Sequence, residues 1–215
     1  MIPLVKNTIS HEEMDRLADW LRTYPRLTKG NLCVQFEDEW SEFIGCKHSV
    51  FVNSGSSANL LMLYSLIESG RLKRGDQVIV PSVSWATDLA PVVQLGLEPI
   101  LCDCNLLDLS VDLEDLNDII DKNNPKALMF VSVLGLVPNM EAVLKTCKEA
   151  GIILLEDACE SFGSRYNGKN LGTFGLMSSF STFFGHHLST IEGGMICTDD
   201  TDLYNLLKCI RSHGW

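Results

Sequence analysis

Short apolar runs alternate with amphipathic stretches along most of the chain. Ser49–Asn53, Gln77–Pro81, Glu98–Cys102, Lys126–Leu134 and Gly151–Leu155 are apolar runs of strand length. Between them, Ser57–Ser69, Ala86–Leu95, Asp112–Lys122 and Asn139–Ala150 repeat their apolar positions at helical spacing. Strand and helix in strict alternation predict an α/β fold: a mostly parallel sheet with helices on both faces. Beyond Glu160 the rhythm changes. Ser178–Phe184 and Gly194–Thr198 predict two adjacent strands, and a final helix is expected from about Asp200 to Arg211. At the start, Ser10-His11-Glu12-Glu13 has the makings of a capping box that opens a short helix through Leu21. The polar stretch Tyr24–Asn31, with a proline and a glycine, reads as an arm. Residues 1–30 are therefore expected to form a helix and arm, and residues 31–215 the main domain.

Composition adds bounds. The chain has 215 residues, 46% of them hydrophobic and 21% charged, enough for a core without disulfides or metals. The net charge of -11, with basic residues scattered, argues against nucleic acid as a partner. A phosphorylated small ligand stays open, since a helix N-terminus holds phosphate without net positive charge. Met1–Lys6 has no apolar run of signal-peptide length, and no segment approaches the roughly 20 apolar residues of a membrane span. No membrane association and a cytoplasmic location are the resulting expectations. The eight cysteines are dispersed. Cys102 and Cys104 form the one close pair, and no second pair accompanies them at zinc spacing, so buried free thiols are expected and no metal.

Four segments carry candidate chemistry, and each has a plainer reading. Asn53-Ser54-Gly55-Ser56-Ser57-Ala58-Asn59 turns a strand into a helix through small residues. That geometry offers free amides and hydroxyls to a phosphate, and equally makes an ordinary tight turn. Leu154-Leu155-Glu156-Asp157-Ala158-Cys159-Glu160 delivers acids at a strand's C-terminal end, where open α/β sheets bind ligands. A carboxylate there can pair with a protonated pyridine nitrogen, or simply cap the next turn. Ser179 to His187, followed by Glu192-Gly193-Gly194, brings a hydroxyl-rich strand to a glycine and two histidines. A histidine there is an acid or base near neutral pH, or a solvated loop residue. Pro81-Ser82-Val83-Ser84-Trp85-Ala86-Thr87 puts an aromatic at another strand end. It can stack on a planar ring or fill the core.

In this order and at these spacings, the segments resemble the sugar aminotransferases of the DegT/DnrJ/EryC1/StrS group, a branch of the fold-type I pyridoxal-phosphate enzymes. The resemblance runs from Leu27-Thr28-Lys29-Gly30 and Phe36-Glu37 to Glu192-Gly193-Gly194. It implies pyridoxal 5'-phosphate or pyridoxamine 5'-phosphate as cofactor. Gly55 and Ser56 would hold its phosphate from backbone amides and Ser181 from its hydroxyl. Trp85 would cover the ring face, Asp157 would pair with the ring nitrogen, and Glu160, usually glutamine in the group, would sit near the 3-hydroxyl.

The departure from the family is at the Schiff-base lysine. It is expected five residues after the phosphate-binding serine and six before Glu-Gly-Gly; counting from Ser181 and back from Glu192 reaches His186 both times. An imidazole cannot make the lysine's covalent bond to the cofactor, but it moves protons. Gly185 to Gly194 is similar to a histidine-containing, GDP-sugar subgroup of the family. For that subgroup the implied reaction is 3-dehydration of a nucleotide-linked 4-keto-6-deoxyhexose in deoxysugar and O-antigen synthesis. His186 would be the base acting at the cofactor's C4′ carbon, L-glutamate the amino donor, and His187 a substrate or phosphate contact. A homodimer is implied as well. The sequence stops at Arg211-Ser212-His213-Gly214-Trp215, short of the small C-terminal domain the resemblance implies, so a truncated and inactive chain is one alternative. An aminotransferase working without the lysine is another.

Overall fold

Strands buried along nearly their whole length build the centre of the molecule. The computed structural model describes residues 2, 5, 6 and 8–215. Residues 1, 3 and 4, on which the reading of Met1–Lys6 rests in part, lie outside these. Strands β1 (His48–Val52), β2 (Gln77–Pro81), β3 (Glu98–Cys102), β4 (Ala127–Val131) and β5 (Ile153–Asp157) come first. The two short strands β6 (Arg165–Tyr166) and β7 (Lys169–Asn170) form a separate hairpin, and β8 (Met177–Ser181) and β9 (Gly194–Thr198) follow. The main sheet has seven strands in the order β1-β9-β8-β5-β4-β2-β3, and β9 alone runs against its neighbours.

Central strand β4 is buried at every residue. Ala127 and Met129 face one core with Met62, Leu63 and Leu66 of α3 (Gly55–Glu68), Val92 of α4 (Ala86–Gln94) and Leu203 and Leu207 of α7 (Thr201–Arg211). Leu128 and Phe130 face the other, with Leu116 of α5 (Leu113–Lys122) and Met140 and Val143 of α6 (Met140–Ala150). A strand covered on both faces is apolar throughout, which is why these segments read as runs rather than as alternation.

Helix α1 (His11–Leu21) opens with the expected capping box: Glu13 N–H donates to the Ser10 hydroxyl, and Ser10 N–H to the Glu13 carboxylate. Two features differ from expectation. Helix α2 (Asn31–Ile44) follows the arm directly and packs Trp40 and Ile44 on Phe180 and Met195 in a third cluster. Strand β4 stops at Val131, three residues early. The chain there breaks into a 3-10 turn, Val133–Gly135, with Leu134 at φ 54° and exposed. Among the described residues, no helix is long and apolar enough to cross a membrane.

Candidate active site

The parallel strands end on one rim, and the chemistry-bearing segments converge there. Ser54 caps α3: its hydroxyl accepts from Ser57 N–H at 3.1 Å and its carbonyl from Ala58 N–H at 3.0 Å. Among the described residues, the amides of Gly55 and Ser56 have no acceptor, so they stand free at the positive end of the helix. The turn is pressed against its neighbours. A Cβ on Gly55 would lie 2.8 Å from Cys159 Sγ and 2.9 Å from Ser181 Cβ. A Cβ on Gly194 would lie 2.4 Å from the Ser54 carbonyl and 2.7 Å from Gly55 N. Bare backbone at both positions lets β8 and β9 seat the turn, with Ser181 packed beside it.

Asp157 ends β5 and is buried. Its Oδ1 accepts from Cys159 N–H at 2.9 Å and its Oδ2 from the Asn59 side-chain amide at 2.7 Å. Asn59, four residues into α3 from Gly55, also reaches Asp88 Oδ1 at 3.1 Å. Asp88 in turn accepts from Trp85 N–H at 3.2 Å. Burial, then the facing Asp157 carboxylate, pushes Asp88 up to about 9. Glu156, the neighbouring acid, points the other way. It is fully buried and accepts from the amides of Gly172, Phe174 and Gly175 at 2.6–2.8 Å, stapling the loop before β8.

His186 sits in the turn between β8 and β9, which is closed by Thr182 N–H to Gly193 O and Thr190 N–H to Thr182 O, each 2.9 Å. It is half-buried. Burial lowers its pKa below the ordinary imidazole value, and Glu160 and Asp157, both close enough to act on it, oppose the shift. Glu160 is fixed by accepting from Leu134 N–H at 2.7 Å, so the early end of β4 serves to orient an acid. Trp85 is 73% exposed at the N-cap of α4, a bare indole at the rim. His187 is exposed and, among the described residues, makes no hydrogen bond.

Gly55, Ser56, Ser181, Asp157, Glu160, Trp85 and His186 thus share one rim, and His187 stands outside its polar network. Asn59 and Asp88 join this set only in the structure; their sequence signals are a lone asparagine within an apolar helix and an acid three residues after an N-cap. Free amides and a hydroxyl suit a phosphate at one end. A buried carboxylate suits a ring cation at the other, and an exposed indole suits the face of the ring between them. A pyridoxal-type cofactor fits this set. Among the described residues, no three His, Cys, Asp or Glu side chains are placed to hold a metal.

The chain is 42% identical to the GDP-4-keto-6-deoxy-D-mannose 3-dehydratase of Yersinia pseudotuberculosis over 215 residues, covering 99% of this chain and 54% of that protein. It is 44% identical to the enzyme of the same name from Escherichia coli O55:H7, covering 87% of this chain and 49% of that one. A crystal structure of GDP-4-keto-6-deoxymannose-3-dehydratase with a trapped PLP-glutamate geminal diamine superposes with a TM-score of 0.93 at 41% identity, over 100% of this chain and 56% of that one. The chain spans about half the length of the curated relatives it matches. Residues 7–215 match the family's sequence pattern, and the chain belongs to the DegT/DnrJ/EryC1/StrS aminotransferase family.

Proposed function

We propose that the chain is the cofactor-binding part of a pyridoxamine-phosphate-dependent lyase that removes the C3 hydroxyl of a GDP-linked 4-keto-6-deoxyhexose. One observation carries the reading: the β8–β9 turn holds His186 near enough to Glu160 and Asp157 to feel both charges, and residues 170–207 contain no lysine. The relatives named as dehydratases support the reaction class, and the related structure holding PLP and glutamate supports the cofactor and amino donor.

When bound, pyridoxamine phosphate supplies the amine that joins the C4 ketone and a conjugated ring that takes up an electron pair. The amides of Gly55 and Ser56 and the hydroxyl of Ser181 bind the phosphate. Asp157 keeps a proton on the ring nitrogen, Trp85 covers one ring face and excludes water, and Glu160 orients the ring's 3-hydroxyl. His186, held neutral by burial, accepts a proton at a ring nitrogen and gives one to the C3 hydroxyl as it leaves. His187 contacts substrate phosphate. Residues 31–215 form the cofactor domain behind the helix and arm of residues 1–30. The protein works in the cytoplasm as a homodimer, with L-glutamate restoring the amine.

The test is incubation with pyridoxal phosphate, glutamate and a panel of nucleotide-linked 4-ketosugars. Ammonia and a 3-deoxy ketone from the GDP sugar are expected. A 4-amino sugar in their place identifies an aminotransferase. A chain that takes up no cofactor in a spectrophotometric titration is inert by itself.

A further inference from the structure

The Asn59 side chain is short of protons. Its nitrogen faces three acceptors: Thr87 O at 3.2 Å, Asp88 Oδ1 at 3.1 Å and Asp157 Oδ2 at 2.7 Å. A primary amide carries only two N–H bonds. Asn59 and Asp88 have no exposed surface, and Asp157 is 5% exposed. Two carboxylates facing each other in such a place do not both stay charged. A proton on Asp88 resolves the count. It removes one charge, turns one oxygen into a donor toward Asp157, and leaves Asn59 two acceptors to satisfy. The other Asp88 oxygen keeps its acceptor role toward Trp85 N–H. The titratable groups facing Asp88 are Asp157, Cys159 and Glu160, all acids on β5 and the segment after it; α3 contributes neutral Asn59, and α4 its own backbone.

We propose that Asp88 is a positioning residue, present as the neutral acid, which donates a hydrogen bond to Asp157 and aims that carboxylate at the cofactor's ring nitrogen. Because the same side chain takes Trp85 N–H, it also fixes the residue over the ring face relative to the one that meets the ring's edge. The inference rests on the reading of Asp157 as the ring-nitrogen partner, but the proton on Asp88 exists without any ligand. The upward shift from burial agrees with it.

Infrared spectroscopy of the cofactor-free, full 215-residue chain reads that proton. A protonated carboxylic-acid stretch at neutral pH, removed by Asp88→Asn, is expected; no such band, or one unchanged in Asp88→Asn, overturns the proposal. Titration with pyridoxamine phosphate reads the positioning. Asp88→Asn keeps an N–H donor toward Asp157, and its affinity is expected within about threefold of wild type. Asp88→Ala removes the donor, and its affinity is expected to fall about tenfold or more, as for one lost hydrogen bond to a charged group. Wild-type affinity in Asp88→Ala, in protein folded by circular dichroism, overturns the positioning role. If the unaltered chain binds no pyridoxamine phosphate, the cofactor reading fails instead, and the infrared band alone decides the protonation of Asp88.

Discussion

A histidine does the work of a proton-moving base only if it is neutral when the proton arrives. Burial keeps His186 below the ordinary imidazole pKa, against the pull of Glu160 and Asp157. The sign follows: a base acts when unprotonated, so a lowered pKa carries activity to lower pH. The acid limb of kcat/KM is expected below pH ~6.5, the unperturbed histidine value. His186→Asn is expected to abolish that limb and lower turnover roughly 10²–10⁴-fold with cofactor affinity retained. Full dehydration by this variant would show that another group is the base. Glu160→Gln removes the larger of the two charges that raise His186, while its amide oxygen still accepts from Leu134 N–H. Its acid limb is expected to move to still lower pH; a move to higher pH contradicts the assignment. His186 could be reached by counting from Ser181 and Glu192, because a turn fixes spacing locally. Asp88 and Asn59 could not, because their meaning lies in partners distant along the chain: Asn59 meets Asp88 across 29 positions and Asp157 across 98.

At the scale of elements, the Ser54–Ser56 turn proposed to hold the phosphate is a place where strands leave no room for a side chain. Gly194 of β9 backs directly on the Ser54–Gly55 backbone, and backbone cannot swing aside as a side chain does. Gly194→Ala is expected to cost about 1–3 kcal/mol of stability by overpacking. It should also displace the free amides of α3, so pyridoxal phosphate affinity should fall more than stability alone explains. Unchanged affinity in a folded Gly194→Ala chain would mean that these amides do not hold the phosphate. Most elements were legible because buried parallel strands and their crossover helices carry strong period signals; Gln77–Pro81, Glu98–Cys102 and Gly194–Thr198 match to the residue. Helix α2 was not, because acids and polar residues surround Phe36, Trp40 and Ile44, and the apolar stripe that packs on Phe180 and Met195 is narrow. The apolar run Lys126–Leu134 outlasts its strand because the turn after Val131 is built from apolar Val133 and Leu134, the latter left-handed, and Ser132 is a weak stop signal.

The whole molecule sets a field that the site must overcome. The chain carries -11, and the proposed cofactor brings a phosphate of the same sign. At low salt the Debye length is roughly 30 Å at 0.01 M, so an approaching anion feels the net charge of the chain. At 0.1 M it shrinks to about 10 Å, and what remains is local: the free amides and the helix end at Gly55 and Ser56. Repulsion therefore acts on the approach and attraction on the bound state. Raising sodium chloride over this range is expected to speed pyridoxal phosphate association and to change dissociation much less. Stopped-flow absorbance at several salt concentrations separates the two rates. An association rate that falls with salt would mean that the rim draws the anion in against the net charge, and that cationic groups beyond the Gly55 turn take part in capture.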